Sequence, residues 1–155
     1  MRKLFHFASP REHYTADAVV VWCFDHRFNP ALRKFLQKTG VEHVDLIVVA
    51  GGAKNLASPQ NENDRRFVLD QIKSSTQLHQ TKTVFLMLHS DCGAYGGLGT
   101  FDNDPARESE NHNREMQKAM ACLKKELPEL KVRAFLIDFE GVWEIDLSSR
   151  EVAAR

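Results

Sequence analysis

Four short, continuous apolar runs, separated by segments long enough to form helices, constrain the fold of this chain more than any other feature. The runs are ADAVVVWC at 16–23, VDLIVVA at 44–50, TVFLML at 83–88 and VRAFLIDF at 132–139. Runs of this length and composition are typical of strands buried on both faces of a parallel sheet. Because strands that alternate with helices form βαβ units, the sequence predicts an α/β fold with a mostly parallel central sheet.

The segments between these runs have the start signals and periodicity of helices. Asn29-Pro30 opens the first helix, with Asn suited to the N-cap, a second is expected over about 62–79, and a third from about Pro105 to Leu127. Glu140-Gly141 then favours a turn into a short fifth strand, VWEIDL, at the C-terminal edge. We therefore expect a single three-layer domain over residues 1–155, with helices flanking the sheet and a short antiparallel edge strand.

The composition argues against several functional classes. The chain has 21 basic and 21 acidic residues and no basic stripe of the kind that binds nucleic acid. No apolar run approaches the roughly 20 residues needed to span a bilayer, and the apolar part of MRKLFHFASP is too short for a secretory signal. Three cysteines do not resemble a disulfide framework. We expect a cytoplasmic protein that binds neither nucleic acid nor membranes.

Two cysteine motifs lie at the ends of the first and third apolar runs. The first is CFDHR at 23–27, and the second is HSDC at 89–92. Ligand sites in parallel sheets lie at the carboxyl ends of strands, so both motifs are in the right place for a site. In an extended segment Cys23, Asp25 and Arg27 share one face, and Arg27 can hold Asp25 ionised through a two-pronged hydrogen bond.

A metal site follows if the first and third strands are neighbours in the sheet. Cys23, His89 and Cys92 would then converge, and a Cys₂His set suits Zn²⁺ with one coordination position left over. The two thiolates would cancel the charge of the dication. The fourth ligand could be water, which would supply a nucleophile at neutral pH, or Asp25, which would close the site.

Rival interpretations of the second motif fail on spacing. A cysteine phosphatase loop needs His directly before Cys and Arg six residues after it, whereas this chain has Asp91 and Leu98 at those positions. A redox pair needs Cys-x-x-Cys, and the glycines of GGLGT do not have the dinucleotide-binding spacing. Cys122, inside the third predicted helix, is expected to be a packing residue.

Together the two motifs resemble the signatures C-x-D-x-R and H-x-x-C of the β-class carbonic anhydrases, and Gly93-Ala94 continues the likeness. The resemblance implies zinc held by Cys23, His89 and Cys92, with Asp25 and Arg27 as a catalytic pair beside the metal. It leaves open whether Asp25 stays on Arg27 or ligates zinc at low pH.

The activity that the resemblance implies is the reversible hydration of CO₂ to bicarbonate by metal-bound hydroxide, which makes the protein a carbonate dehydratase. The partners would be CO₂ and bicarbonate, and the assembly a homodimer or higher homo-oligomer. One departure from the family is visible. Its second strand commonly ends in Arg-Asn-Ala-Gly, where this chain has Val48-Val49-Ala50-Gly51.

Two further hypotheses remain open at this point. The loss of the Arg-Asn pair leaves room for a zinc hydrolase of the same fold that acts on COS or CS₂. Alternatively, Asp25 could permanently close the metal site, which would make the chain a non-catalytic zinc-binding or assembly protein.

Overall fold

One five-stranded sheet organises the computed structural model, which describes residues 1–146. The strand order is β2-β1-β3-β4-β5. The strands are β1 (Ala18–Trp22), β2 (Val44–Val48), β3 (Thr83–His89), β4 (Lys131–Ile137) and β5 (Val142–Glu144). All neighbouring pairs are parallel except β4 and β5, which are antiparallel. The predicted mostly parallel sheet with an antiparallel edge strand is confirmed, although the last residue of VWEIDL lies outside the described residues.

Helices cover both faces of the sheet. They are α1 (Asn29–Lys38), α2 (Lys54–Ala57), α3 (Glu62–His79) and α4 (Pro105–Glu126). Capping explains two of the starts: Asn61 forms a capping box with Asp64 before α3, and the Asp104 side chain caps α4 ahead of Pro105. In this described part of the chain, no helix combines the length and the apolar character needed to cross a membrane.

Two separate cores show the three layers. On one face, alternate residues of β1 such as Val20 and Trp22 pack with Leu32 and Leu36 of α1. On the other face, Val19 and Val21 belong to a core that includes side chains from α2, α3 and α4. This is the period of two expected of a strand, and it confirms the predicted arrangement of helices on both sides of a sheet.

Two local expectations were wrong. The run at 44–50 was expected to be buried on both faces, but within β2 only Ile47 is buried, and Leu46 and Val48 are about half exposed. The reason is the strand order, because β2 is an edge strand and has β1 as its one neighbour. Asn29 is the first residue of α1 rather than its N-cap, and its side chain instead accepts a hydrogen bond from Trp22 Nε1.

Candidate metal centre

The pairing of β1 with β3 brings the two cysteine motifs together at the carboxyl end of the sheet. Cys23 follows β1, His89 ends β3, and Cys92 lies three residues farther on. The Cys23 and Cys92 sulfurs and a His89 ring nitrogen all lie within 4.8 Å of one another. The three residues are 5%, 2% and 1% exposed, so their ligand atoms converge in a space that is largely closed to solvent.

The ring of His89 is oriented toward this space. Its Nδ1 donates to the Ser90 carbonyl oxygen at 2.9 Å, so Nε2 carries the free lone pair. Nε2 is buried and has no hydrogen-bond partner. The rings of Trp22 and Phe28 pack against the imidazole, with centroids 5.6 and 4.9 Å away. A buried polar atom without a partner carries a free-energy cost, and a metal ion accepting this lone pair would remove it.

The two cysteine sulfurs shift each other's pKa in opposite directions. The Cys92 thiol interacts with Cys23 and thereby lowers the pKa of Cys23, with further help from His89 and from the Gly51 N–H, which lies 3.3 Å from the sulfur. The same interaction raises the pKa of Cys92. Zinc binds cysteine as the thiolate, so the lowered pKa of Cys23 suits the role of a metal ligand.

Two glycines that follow β2, Gly51 and Gly52, bring the backbone close to Cys23. Gly52 has φ +53°, and a Cβ atom at this position would lie 2.6 Å from the Met87 carbonyl oxygen and 3.1 Å from the Cys23 nitrogen. Both the backbone conformation and the space therefore require glycine here. The close approach lets the Gly51 N–H reach the Cys23 sulfur.

Arg27 holds Asp25 beside the three ligand atoms. Arg27 Nη2 donates to Asp25 Oδ2 at 2.6 Å, and Nε lies 3.1 Å from both carboxylate oxygens. These hydrogen bonds lower the pKa of Asp25 to about 2, so the carboxylate stays ionised. Its Oδ2 lies 4.0 Å from His89 Nε2. Asp25 therefore lies beside the three ligand atoms, and both of its carboxylate oxygens accept hydrogen bonds from Arg27.

The pairing of Asp91 with Arg27 was not predicted from the sequence. Arg27 Nη1 donates to Asp91 Oδ2 at 2.8 Å, and Nη2 also donates to the Asp91 carbonyl oxygen at 3.0 Å. The other carboxylate oxygen, Oδ1, accepts from the Leu98 N–H. Arg27 therefore joins the first motif to the second. Its guanidinium is flanked by the rings of Phe28 and Phe139, at 5.5 and 5.7 Å.

Comparisons with known proteins identify the family of this chain. A family model described as "Putative carbonic anhydrase" matches residues 14–147, which include both motifs. An uncharacterised protein of Rickettsia bellii is 27% identical over 132 residues, which is 83% of this chain and 80% of that protein.

Solved structures agree in fold. The β-carbonic anhydrase isoform I of Trichomonas vaginalis superposes with a TM-score of 0.61 at 13% identity, covering 90% of this chain and 87% of that one. A carbonic anhydrase from Streptococcus mutans superposes with a TM-score of 0.60 at 16% identity, covering 91% and 88%. At these identities the likeness establishes the fold. With a family match that spans residues 14–147, the chain belongs to this carbonic anhydrase family and has the fold of its β class.

Proposed function

We propose that this protein is a zinc-dependent carbonic anhydrase, which catalyses the reaction CO₂ + H₂O ⇌ HCO₃⁻ + H⁺. The observation that carries the proposal is the unpartnered Nε2 of His89, which meets two cysteine sulfurs beside an ionised Asp25. Two sulfurs and one imidazole nitrogen are a donor set that zinc prefers, with a fourth position available for chemistry. A reducing cytoplasm, where we place the protein, would keep both thiols available as ligands.

The bound zinc would supply Lewis acidity, lowering the pKa of a coordinated water to about 7. Cys23 and Cys92 would neutralise the dication, and the Ser90 carbonyl oxygen would keep His89 in the tautomer that presents Nε2.

Asp25 would orient the reacting water by accepting a hydrogen bond at Oδ2. Because Arg27 lowers the pKa of this carboxyl to about 2, Asp25 remains an acceptor at neutral pH and does not store the released proton. The side chain of Asp25 is 18% exposed, so the released proton can pass to bulk solvent beside it without residing on the carboxylate.

Stopped-flow CO₂ hydration with zinc-loaded protein tests the proposal. We expect turnover well above the buffer rate at about pH 8.5, a large loss in Asp25→Asn, and no effect of Cys122→Ser, the matched control because Cys122 is not part of the cluster. The absence of any rate above buffer, with one zinc per chain, would refute the proposed activity.

The position of Asp25 also bears on the non-catalytic alternative. A closed site needs an Asp25 oxygen as the fourth ligand, but both oxygens are hydrogen bonded to Arg27. This arrangement supports an open position. Hydrolysis of COS or CS₂ would use the same residues, so we propose comparing sulfide release from COS with CO₂ turnover on one preparation; faster COS turnover would assign the substrate to that class.

We also propose that a second copy of the chain covers the edge of the sheet at β2. Leu46 and Val48 are about half exposed there, and Phe24 is 65% exposed. These side chains help to line a largely apolar groove of about 410 Å³. An uncovered apolar edge strand is a liability in solution. Light scattering should give a dimer or larger assembly for the native chain and a smaller one for Leu46→Glu; a native monomer would refute this assembly.

A further inference from the structure

We propose that three buried polar side chains on one face of α4, Glu108, His112 and Glu115, position the loop that carries the metal ligands, residues 89–95, and so set how tightly the site holds its metal. This inference rests on the proposed zinc site.

The spacing of these residues places them on the core side of the helix. Positions separated by four and three residues share one face, and this face continues as the buried stripe of Met116, Ala119 and Leu123. Glu108, His112 and Glu115 are only 2%, 1% and 5% exposed. Burial of such groups is unfavourable unless they are hydrogen bonded, and each of the three bonds to the structure around the loop.

Glu108 holds the turn between the two ligands of the second motif. Its Oε1 accepts a hydrogen bond from the Asp91 N–H at 2.7 Å. Asp91 has φ +53°, a conformation that a residue other than glycine rarely adopts. Glu108 therefore supports the strained residue through which the chain passes from His89 to Cys92. The same residue, Asp91, anchors Arg27.

His112 holds the end of β3. Its Nε2 lies 3.0 Å from the His89 carbonyl oxygen, and because a carbonyl only accepts, Nε2 carries the proton. The imidazole packs against the ring of Tyr95, with centroids 4.9 Å apart. His112 therefore holds the backbone of His89 through its carbonyl oxygen, while the Ser90 carbonyl oxygen holds the His89 ring through Nδ1.

Glu115 ties the end of the loop to the segment that follows the glycine pair. Its Oε2 accepts from the Tyr95 hydroxyl at 3.2 Å and from the Ser58 hydroxyl, and its Oε1 accepts from Lys118 Nζ at 2.8 Å. Ser58 directly follows α2, which begins two residues after Gly52. The helix α4 therefore bonds to two segments near the cysteines: the loop 89–95, which contains Cys92, and the segment that follows Gly52, which lies against Cys23.

The contacts fix the ligands in place before a metal arrives. Outer residues of this kind orient the ligands themselves, and their loss typically lowers metal affinity by about 10- to 100-fold. We expect that effect from removing either the Glu108 acceptor or the His112 donor.

Zinc affinity and a cobalt spectrum test the proposal on paired variants. Glu108→Gln keeps an acceptor oxygen and His112→Gln keeps a donor nitrogen, whereas Glu108→Ala and His112→Leu remove them. Glu110→Ala is the control, because Glu110 lies on the exposed side of α4 and pairs with Arg114.

Chelator competition should show zinc bound about 10- to 100-fold more weakly by the Ala and Leu variants, with affinity largely retained by the Gln variants and the control. The visible bands of the Co²⁺-loaded Ala and Leu variants should shift, reporting altered ligand geometry.

The outcomes separate this inference from the proposed zinc site. If the native chain fails to retain zinc, the proposed site itself is refuted. If the native chain binds zinc and both Glu108→Ala and His112→Leu match it in affinity and cobalt spectrum, this inference alone is overturned. A loss of metal-free stability with an unchanged cobalt spectrum would also overturn it, because that is what a purely structural role predicts. If His112→Leu does not fold, the Glu108→Ala and Glu108→Gln pair decides.

Discussion

Both ends of the sheet carry a cluster of polar side chains. The cluster at the amino end is hydrogen bonded, whereas the one at the carboxyl end contains a buried nitrogen without a hydrogen-bond partner. At the amino end, Asp45 of β2 accepts hydrogen bonds from Tyr14 Oη at 2.7 Å, Ser75 Oγ at 2.6 Å and His79 Nδ1 at 2.8 Å. At the carboxyl end, His89 Nε2 is buried with no partner, and it faces two cysteine sulfurs.

The difference shows why residue type alone does not identify a site. The amino-end cluster contains a Ser, a His and an Asp, the composition of a hydrolase triad. However, Ser75 and His79 both bond to the same carboxylate, which is the geometry of an anchor rather than of a nucleophile held by a base. Ligand atoms that converge while one of them stays unpaired indicate a binding site instead.

Removal of a proposed ligand should give the largest effect and should be confined to the carboxyl end. We expect Cys92→Ser to weaken zinc binding by at least about 100-fold, since a lost ligand costs more than a lost outer contact. Metal analysis after dialysis against a chelator measures this, with Cys122→Ser as the matched control. Zinc retained at one per chain in Cys92→Ser would contradict the ligand assignment.

Removal of Arg27 should separate metal binding from turnover. In Arg27→Met, Asp25 and Asp91 lose their shared partner, and the pKa of Asp25 rises from about 2 toward its ordinary value. We expect CO₂ hydration to fall by about 100-fold, because the carboxylate is no longer held in place, while zinc content is retained.

Arg133→Met is a matched control for this measurement, because Arg133 makes a two-pronged pair with Glu144 on β4 and β5. Equal turnover in Arg27→Met and the native protein would show that the Asp25–Arg27 pair has no part in the proposed reaction.

Substitutions at the amino end should change stability and leave the metal site intact. Asp45→Ala would leave the buried Ser75 and the partly buried His79 without their shared acceptor, so we expect the free energy of unfolding to fall by about 1–3 kcal/mol. Urea unfolding of the metal-free protein measures the loss. A weakened zinc affinity in Asp45→Ala would contradict the separation of the two ends.

We expect the smallest effect in how the free energy of unfolding decreases at acid pH. Burial tends to raise the pKa of Asp45, but its hydrogen bonds with Ser75, Tyr14 and His79 outweigh this and lower it below 3.8. A carboxyl with a lowered folded-state pKa stabilises the protein above its unfolded pKa, and this stabilisation is lost as the pH falls through the folded value. Asp45→Asn should therefore show a shallower loss of stability below about pH 4 than the native chain. Parallel curves for the two proteins would show that Asp45 makes no contribution to acid sensitivity.

The sequence predicted those features that depend on local pattern. The apolar runs predict where the strands lie, and from them the layered sheet could be anticipated. The spacing of the motifs around Cys23 and His89 predicts the cluster of candidate ligands. The exposure of Leu46 could not, because a run of apolar residues does not reveal which strand will lie at the edge.

The contacts of Asp91 and of the α4 residues also depend on tertiary structure. A signal was nevertheless present in α4. Glu108, His112 and Glu115 extend the apolar stripe of Met116 toward the start of the helix, and ionisable residues at core-facing positions indicate buried partners. Which backbone groups those partners are becomes visible only when the loop after β3 is placed against the helix.

The coordination of zinc at pH 8.5 tests the central claim most directly. X-ray absorption at the zinc edge should give two sulfur ligands at about 2.3 Å and two nitrogen or oxygen ligands at about 2.0 Å. At pH 8.5 we predict that the oxygen ligand belongs to an exchangeable water, with Asp25→Ala giving the same spectrum as the native chain. A shell without two sulfurs would contradict the metal site, and an oxygen ligand that disappears in Asp25→Ala at pH 8.5 would contradict the open position on which the proposed activity depends.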